Sequence, residues 1–261
     1  MNFRSLTALP VYNEVAHVEG VLDEALRYSG DVLVVDDGST DGTSALLRAR
    51  SDVHLVTHPR NRGYGAALRS AFDFALQGGY DVLVTIDCDG QHEPQRIPQF
   101  IEALESSDAN PRFDVVSGSR YLQRFQSDSR PPEDRRRINR TITEELNRQL
   151  GLNLTDAFCG FKAYRVAALA GIELQETGYA MPLEFWVRAA RLGLRITELP
   201  VPLIYLDESR SFGGAMDQAD TRLDVYRRVL QRSLSTAAIS NGPIAGGHAA
   251  KAATCHCEAA R

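Results

Sequence analysis

Val82-Leu83-Val84-Thr85-Ile86-Asp87-Cys88-Asp89-Gly90-Gln91-His92 is the stretch on which the reading of this chain turns. Its first five residues are apolar or β-branched without alternation, as a strand buried on both faces requires. The run then breaks into two carboxylates and a glycine. The same figure occurs twice upstream. Leu6–Pro10 leads into Pro10-Val11-Tyr12-Asn13-Glu14, and Asp31–Asp36 leads into Asp36-Asp37-Gly38-Ser39-Thr40-Asp41-Gly42. Helical spacing separates these strands over Val15–Tyr28, Thr40–Arg50, Ala66–Gln77 and Pro94–Ser106, with further strands expected at Val53–Thr57 and Asp114–Ser119. This βαβα order predicts an α/β fold with a mostly parallel sheet, right-handed crossovers and flanking helices. Ligands bind such sheets beyond the carboxyl ends of the strands, where this sequence repeatedly places its acids.

The second half is less regular. Gln123–Asp134 reads as a polar surface loop, Ile138–Leu150 and Leu183–Leu192 as helices, and Arg195–Leu206 as a strand that Pro200 and Pro202 place at an edge or bend. Asp217–Leu234 reads as a last helix, with acids early and arginines late, as the helix dipole favours. Its stripe of Leu223, Tyr226, Leu230 and Leu234 either caps the domain or serves a membrane surface. Beyond it Ala, Gly and Ser dominate. The expectation is one domain over residues 1–235 and a disordered tail over 236–261.

Composition narrows the function classes. The chain has 261 residues and a net charge of −5, which argues against nonspecific nucleic-acid binding. No apolar run reaches the ~18–20 residues of a membrane span, and Arg4, Pro10, Asn13 and Glu14 interrupt any signal-like stretch. A cytoplasmic location is expected. Cys88 and Cys159 read as buried thiols, and Cys255-His256-Cys257 offers too few ligands for a closed zinc site.

Asp87 and Asp89 carry the chemistry. Two anions held close together repel unless a cation lies between them. Oxygen ligands of this kind suit Mg²⁺ or Mn²⁺, which also bind substrate phosphates, and Gln91 offers a further oxygen. Helix capping explains Ser39, Thr40 and Asp41 but not the successive acids Asp36 and Asp37, one of which is expected to bind a ligand hydroxyl or base N–H. Arg60-Asn61-Arg62-Gly63-Tyr64-Gly65 precedes a helix with glycines that permit backbone approach to an anion.

Together these segments resemble the family-two glycosyltransferases of the GT-A (Rossmann-like) fold, in particular the dolichol-phosphate mannose synthase branch. The resemblance spans roughly residues 5–215. It continues through Ser117-Gly118-Ser119-Arg120-Tyr121 and Asp156-Ala157-Phe158-Cys159-Gly160-Phe161-Lys162-Ala163-Tyr164-Arg165. It implies an inverting hexosyl transfer from a GDP- or UDP-sugar to an acceptor, with polyprenyl (dolichyl or undecaprenyl) phosphate foremost and a sugar hydroxyl or other non-lipid acceptor as the alternative. By resemblance Pro10, Tyr12, Glu14 and Asp36 or Asp37 contact the nucleotide. Asp87, Asp89 and Gln91 hold the divalent metal on the donor diphosphate, which makes Asp89 catalytic. Arg120 and one arginine of a downstream group, assigned to Arg136, bind the acceptor phosphate. A lipid acceptor also implies peripheral association with the inner face of a membrane.

One segment departs from the pattern. Where relatives carry Arg-x-x-Gly-x-Ser-Lys over the donor phosphates, this chain has Arg210-Ser211-Phe212-Gly213-Gly214-Ala215-Met216, so Arg210 is kept while the serine and lysine are replaced. A phosphate acceptor is already anionic and needs no general base. A hydroxyl acceptor would need one, and Glu184 is then the candidate. Two other classes compete: a nucleotidyltransferase, which would release pyrophosphate, and a nonenzymatic nucleotide-sugar-binding protein, which would show no turnover.

Overall fold

The computed structural model describes residues 3–105, 112–206 and 213–240. β1 (Ser5–Val11), α1 (Val18–Tyr28), β2 (Asp31–Asp36), α2 (Thr43–Arg48), β3 (His54–Thr57), α3 (Tyr64–Gln77) and β4 (Val82–Thr85) alternate as expected, followed by α4 (Ile97–Glu105) and β5 (Val115–Ser119). Then come α5 (Glu133–Leu150), β6 (Lys162–Arg165), the short α6 (Val166–Leu169), α7 (Met181–Arg191), β7 (Ile196–Pro200) and α8 (Ala219–Ser240).

The seven strands form one sheet in the order β3-β2-β1-β4-β6-β5-β7. β1 pairs in parallel with β2 on one side and with β4 on the other. The strand order therefore reverses at β1 and β4, opening a crevice where their carboxyl ends diverge. Successive residues of the inner strands serve opposite cores. Leu33, Val35 and Leu83 pack on the face covered by α3, α5, α7 and α8, whereas Val32, Val34, Val82 and Val84 pack on the face covered by α1 and α4. This two-sided burial explains why these strands read as unbroken apolar runs.

β6 was not expected as a strand. Lys-Ala-Tyr-Arg shows no apolar run, yet it inserts antiparallel between β4 and β5, with Thr85 opposite Lys162. Because β6 is antiparallel, its first residue meets the carboxyl end of β4, which delivers residues 156–161 to Asp87. β7 is shorter than the predicted strand, since Pro200 and Pro202 lack the N–H a ladder needs. It is an edge strand, as the prolines imply.

α8 begins after a 3₁₀ turn at Gly214–Asp217 and runs past residue 235 to Ser240. Tyr226 and Leu230 on its stripe are buried in the core, with Leu223 and Leu234 packed against it. The stripe thus caps the domain. Residues 241–261, with most of the expected tail and Cys255-His256-Cys257, lie outside the described residues, as does Arg210.

Candidate active site

A cavity of about 510 Å³ opens at the carboxyl ends of β1 and β4, within the range that encloses small ligands. Pro10, Tyr12 and Glu14 line it from the end of β1, and Asp37 from the end of β2. Asp87, Asp89 and Gln91 line it beyond β4, and Arg120 beyond β5. Asp36 and Arg136, both expected here, are not among the lining residues.

The two acids after β2 separate. Asp36 is fully buried, and its carboxylate accepts from Ser39 N at 2.9 Å and from the Ser44 hydroxyl. It fixes the turn that starts α2 rather than facing a ligand. Asp37 reaches the cavity, but its carboxylate accepts from Arg62 N at 3.0 Å and Gly63 N at 2.7 Å, and meets His58 Nδ1 at 2.5 Å. A carboxylate has about four acceptor positions, so most of this one is committed, to the two residues that lead into α3 and to His58. Gly63 is required at that junction: its φ is +100°, and a Cβ there would stand 2.3 Å from Thr177 O.

Asp87 is held from several sides. The Tyr64 hydroxyl donates to Oδ1 at 2.9 Å, and His92 Nε2 lies 3.4 Å from Oδ2. Gly160 packs directly on the carboxylate, for a Cβ at that residue would lie 2.1 Å from Oδ2. Burial pushes the Asp87 carboxyl up, but His92, Tyr64 and the nearby Lys162 charge outweigh it and hold the group below its usual range. Lys162 is itself buried and donates to the Cys159 carbonyl. Asp89 Oδ1 accepts from Gln91 N at 3.0 Å. Among the described residues no three His, Cys, Asp or Glu side chains converge as a closed metal cage. Asp87 and Asp89, both lining the cavity, are the residues that could hold a cation of the Mg²⁺ or Mn²⁺ type, which takes few protein ligands and completes its shell with phosphate and water.

Arg120 is pinned. Its Nε and Nη2 contact Asp156 Oδ2 and Oδ1 at 2.6 and 3.0 Å in a bidentate pair. Asp156, fully buried, also accepts from Asn139 Nδ2 at 2.8 Å and Phe158 N at 3.1 Å. Burial pushes its carboxyl up, yet the Arg120 charge and these hydrogen bonds bring it down to about 2. The fork thus stays charged and fixed in direction, with part of its surface turned to the cavity.

Of the three consecutive arginines, the one that lines the cavity is Arg135, and Arg136 is exposed on α5. Arg135 Nη1 contacts the Tyr205 hydroxyl at 2.5 Å. Helical geometry explains the choice: Ile138 and Asn139, one turn on, are buried and line the same cavity. Arg222, almost fully buried in the first turn of α8, also lines the cavity while paired with Asp134. The sequence shows Arg222 as one of the late arginines Arg222, Arg227, Arg228 and Arg232, a group open to anion recognition, but which of them enters the cavity depends on how α8 docks. Tyr64, His92 and Asp156 sit inside motifs the sequence displayed, but their contacts cross between strands. Glu184 does not line the cavity: it is buried, and its Oε2 accepts from Gln175 N and Glu176 N at 2.9 and 2.7 Å. It shapes a loop.

Comparisons with known proteins place this geometry. The model for Glycosyl transferase family 2 matches residues 7–172. An undecaprenyl-phosphate mannosyltransferase of Micrococcus luteus is 38% identical over 228 residues, 83% of this chain and 90% of that protein. A polyprenol monophosphomannose synthase of Mycolicibacterium smegmatis is 31% identical over 208 residues, 76% of each chain. Among solved structures, glucosyl-3-phosphoglycerate synthase from Mycobacterium tuberculosis in complex with UDP superposes with a TM-score of 0.66 at 20% identity, covering 90% of this chain and 80% of that one. The same enzyme in complex with Mn²⁺, UDP and product gives 0.65. The sheet is thus of the GT-A type, and the chain belongs to the family-two glycosyltransferases.

Proposed function

We propose that this glycosyltransferase moves a sugar from a nucleotide-sugar to a polyprenyl phosphate, with inversion and with a divalent cation at Asp87 and Asp89. The observation that carries the acceptor reading is the composition of the cavity wall. Among the described residues its acids are Glu14, Asp37, Asp87 and Asp89, all at the ends of β1, β2 and β4, whereas Arg120, Arg135 and Arg222 come from the other elements. An acceptor hydroxyl would need a base on the arginine side, and Glu184 is turned away. A phosphate monoester is already anionic and needs only to be aimed, which guanidinium forks do well. The two mannosyltransferase relatives, by name, act on polyprenyl phosphates, which supports the same class.

Pro10, Tyr12, Glu14 and Asp37 form the nucleotide side in this reading. Asp87 and Asp89, with Gln91, are the residues to hold the metal; bound there it supplies positive charge beside the leaving diphosphate. Arg120 and Arg135 hold the acceptor oxygen toward the anomeric carbon, and the pocket keeps competing water out. Arg210 is proposed, from the motif alone, to close on the donor phosphates.

A screen of GDP- and UDP-sugars against a short-chain polyprenyl phosphate and neutral sugars, with Mg²⁺ and with Mn²⁺, tests the proposal. Nucleoside diphosphate release with the phosphate acceptor alone is the expected result. Transfer to neutral sugars but not to the phosphate would overturn it, and full activity in EDTA would remove the metal.

A further inference from the structure

Charge is spread unevenly along the segment that carries the cavity-lining Arg120, Tyr121, Pro131 and Arg135. Residues 120–140 contain seven arginines and three acids, in a chain of net charge −5. Two of those acids are used inside the fold. Asp128 accepts from Phe125 N and Leu203 N, both at 2.8 Å, and Asp134 pairs with Arg222. Arg120 and Arg135 line the cavity. The other five, Arg124, Arg130, Arg136, Arg137 and Arg140, are exposed, and none forms an ion pair among the described residues. Elsewhere several arginines are paired, Arg50 with Asp23 and Asp52, Arg195 with Asp114, and Arg227 with Glu145. Exposed ones without an ion pair among the described residues, such as Arg48, Arg60, Arg62 and Arg228, do not form a run of this density.

On α5 the division is sharp. Ile138, Ile142 and Leu146 are buried, while Arg136, Arg137 and Arg140 share the exposed face with Glu133 and Glu144. Beside the cavity-lining Tyr121 and Tyr205 stand Leu122 and Leu206, which are 40% and 60% exposed. Like charges crowded in water repel, and the same arrangement is favoured against a negative surface.

We propose that the exposed arginines of α5, with the loop carrying Leu122, Arg124 and Arg130, dock this face on an anionic phospholipid bilayer. The cavity mouth then opens toward the headgroups, from which a lipid-borne acceptor enters; this last point rests on the acceptor reading above. α8 does not supply the face, because its apolar stripe is buried. Nor does the patch suit nucleic acid, which would need exposed aromatic platforms among the arginines. Tyr121 lines the cavity, and Phe125 is half-buried with the Arg96 guanidinium 5.1 Å from its ring centre.

The test is co-sedimentation of the full chain with vesicles of phosphatidylcholine, alone or mixed with phosphatidylglycerol, at low and high salt. Binding is expected only with phosphatidylglycerol and is expected to fall with salt. Arg137→Glu with Arg140→Glu should lower partitioning about 10–100-fold, and the corresponding double Gln variant by less. The Glu variant should lose transfer to polyprenyl phosphate embedded in those vesicles and keep transfer to a short-chain one in solution. Equal binding to both vesicle types, binding to neither, or undiminished binding by the Glu variant overturns the proposal. So does tighter binding to an oligonucleotide than to vesicles. If the wild type transfers to neither polyprenyl phosphate, the acceptor reading fails, while the vesicle result still decides the face.

Discussion

The Tyr64 hydroxyl donates to Asp87 Oδ1 at 2.9 Å while its ring stacks on Tyr179 with centroids 5.7 Å apart. Tyr64 is the first residue of α3, and the two residues before it, Arg62 and Gly63, donate their backbone N–H groups to Asp37. The start of α3 therefore ties the end of β2, through the backbone, to Asp87 beyond β4 and to Tyr179, through the Tyr64 side chain. Tyr64→Phe keeps the stack and removes only the hydroxyl. Groups that orient a metal ligand typically contribute 10–100-fold in affinity. Calorimetric titration of Mn²⁺ with nucleoside diphosphate present should show a loss of about 10-fold or more, with little change in thermal midpoint. Unchanged affinity would leave Tyr64 as packing alone.

Gly160 makes a stricter demand on the same carboxylate. Gly160→Ala would put a methyl 2.1 Å from Asp87 Oδ2, so Asp87 must move. The expected outcome is a drop in kcat/KM of roughly 100-fold, beside an overpacking cost of about 1–3 kcal/mol. Urea unfolding and steady-state kinetics together check this. Wild-type kinetics in a folded Gly160→Ala protein would show that the position of Asp87 does not matter.

Arg120 and Asp156 require a paired experiment. Arg120→Ala alone strands a buried carboxylate, at a cost of about 3–5 kcal/mol, and confuses stability with chemistry. Arg120→Ala combined with Asp156→Asn removes both charges. The double variant should recover much of the thermal stability, yet remain about 10–100-fold impaired toward a polyprenyl phosphate. Donor affinity should change little. Recovery of both properties would make the pair structural only.

The Asp156 carboxyl also predicts an acid limb in stability. Its folded value of about 2 lies below the ordinary 3.8, so at low pH the unfolded chain takes up a proton first. The contribution, about 2 kcal/mol, is complete above the unfolded value and is lost as pH falls through the folded one. Asp87 and Asp114 are shifted in the same direction. The informative comparison is therefore between the wild type and Asp156→Asn, by denaturant unfolding from about pH 5 to pH 2. The variant should show the shallower decline, and parallel curves would contradict the assignment.

How much of this was legible in the sequence depends on how local the cause is. Buried strands running into Asp87 and Asp37 declared themselves, because two-sided burial and acids just past a strand are properties of a few consecutive residues. β6 did not, since Lys162–Arg165 forms a strand only through neighbours on both sides, and its Lys is buried despite its charge. Asp36 and Asp37 are adjacent and chemically identical. Only the turn held by Ser39 and Ser44 shows which of them faces inward. Arg222 was visible only as one of four late arginines, because which of them enters the cavity depends on the docking of α8.

The run Arg135-Arg136-Arg137 allows the sharpest test of the acceptor site. Arg135 lines the cavity and meets the Tyr205 hydroxyl, whereas Arg136, in the same helix turn, is exposed and does not line it. A charge-assisted hydrogen bond to a phosphate is worth about 1.5–3 kcal/mol. Arg135→Ala should therefore raise the acceptor KM, or lower kcat, by on the order of 10–100-fold with a short polyprenyl phosphate in solution. Arg135→Lys should rescue only in part, because an ammonium lacks the planar fork. Arg136→Ala should stay within about 2-fold in the same assay, since exposed charges contribute little. The donor KM should be unaffected in all three variants. If Arg136→Ala proves as damaging as Arg135→Ala without vesicles present, the phosphate is held at the exposed face of α5, and the cavity assignment of the acceptor is wrong.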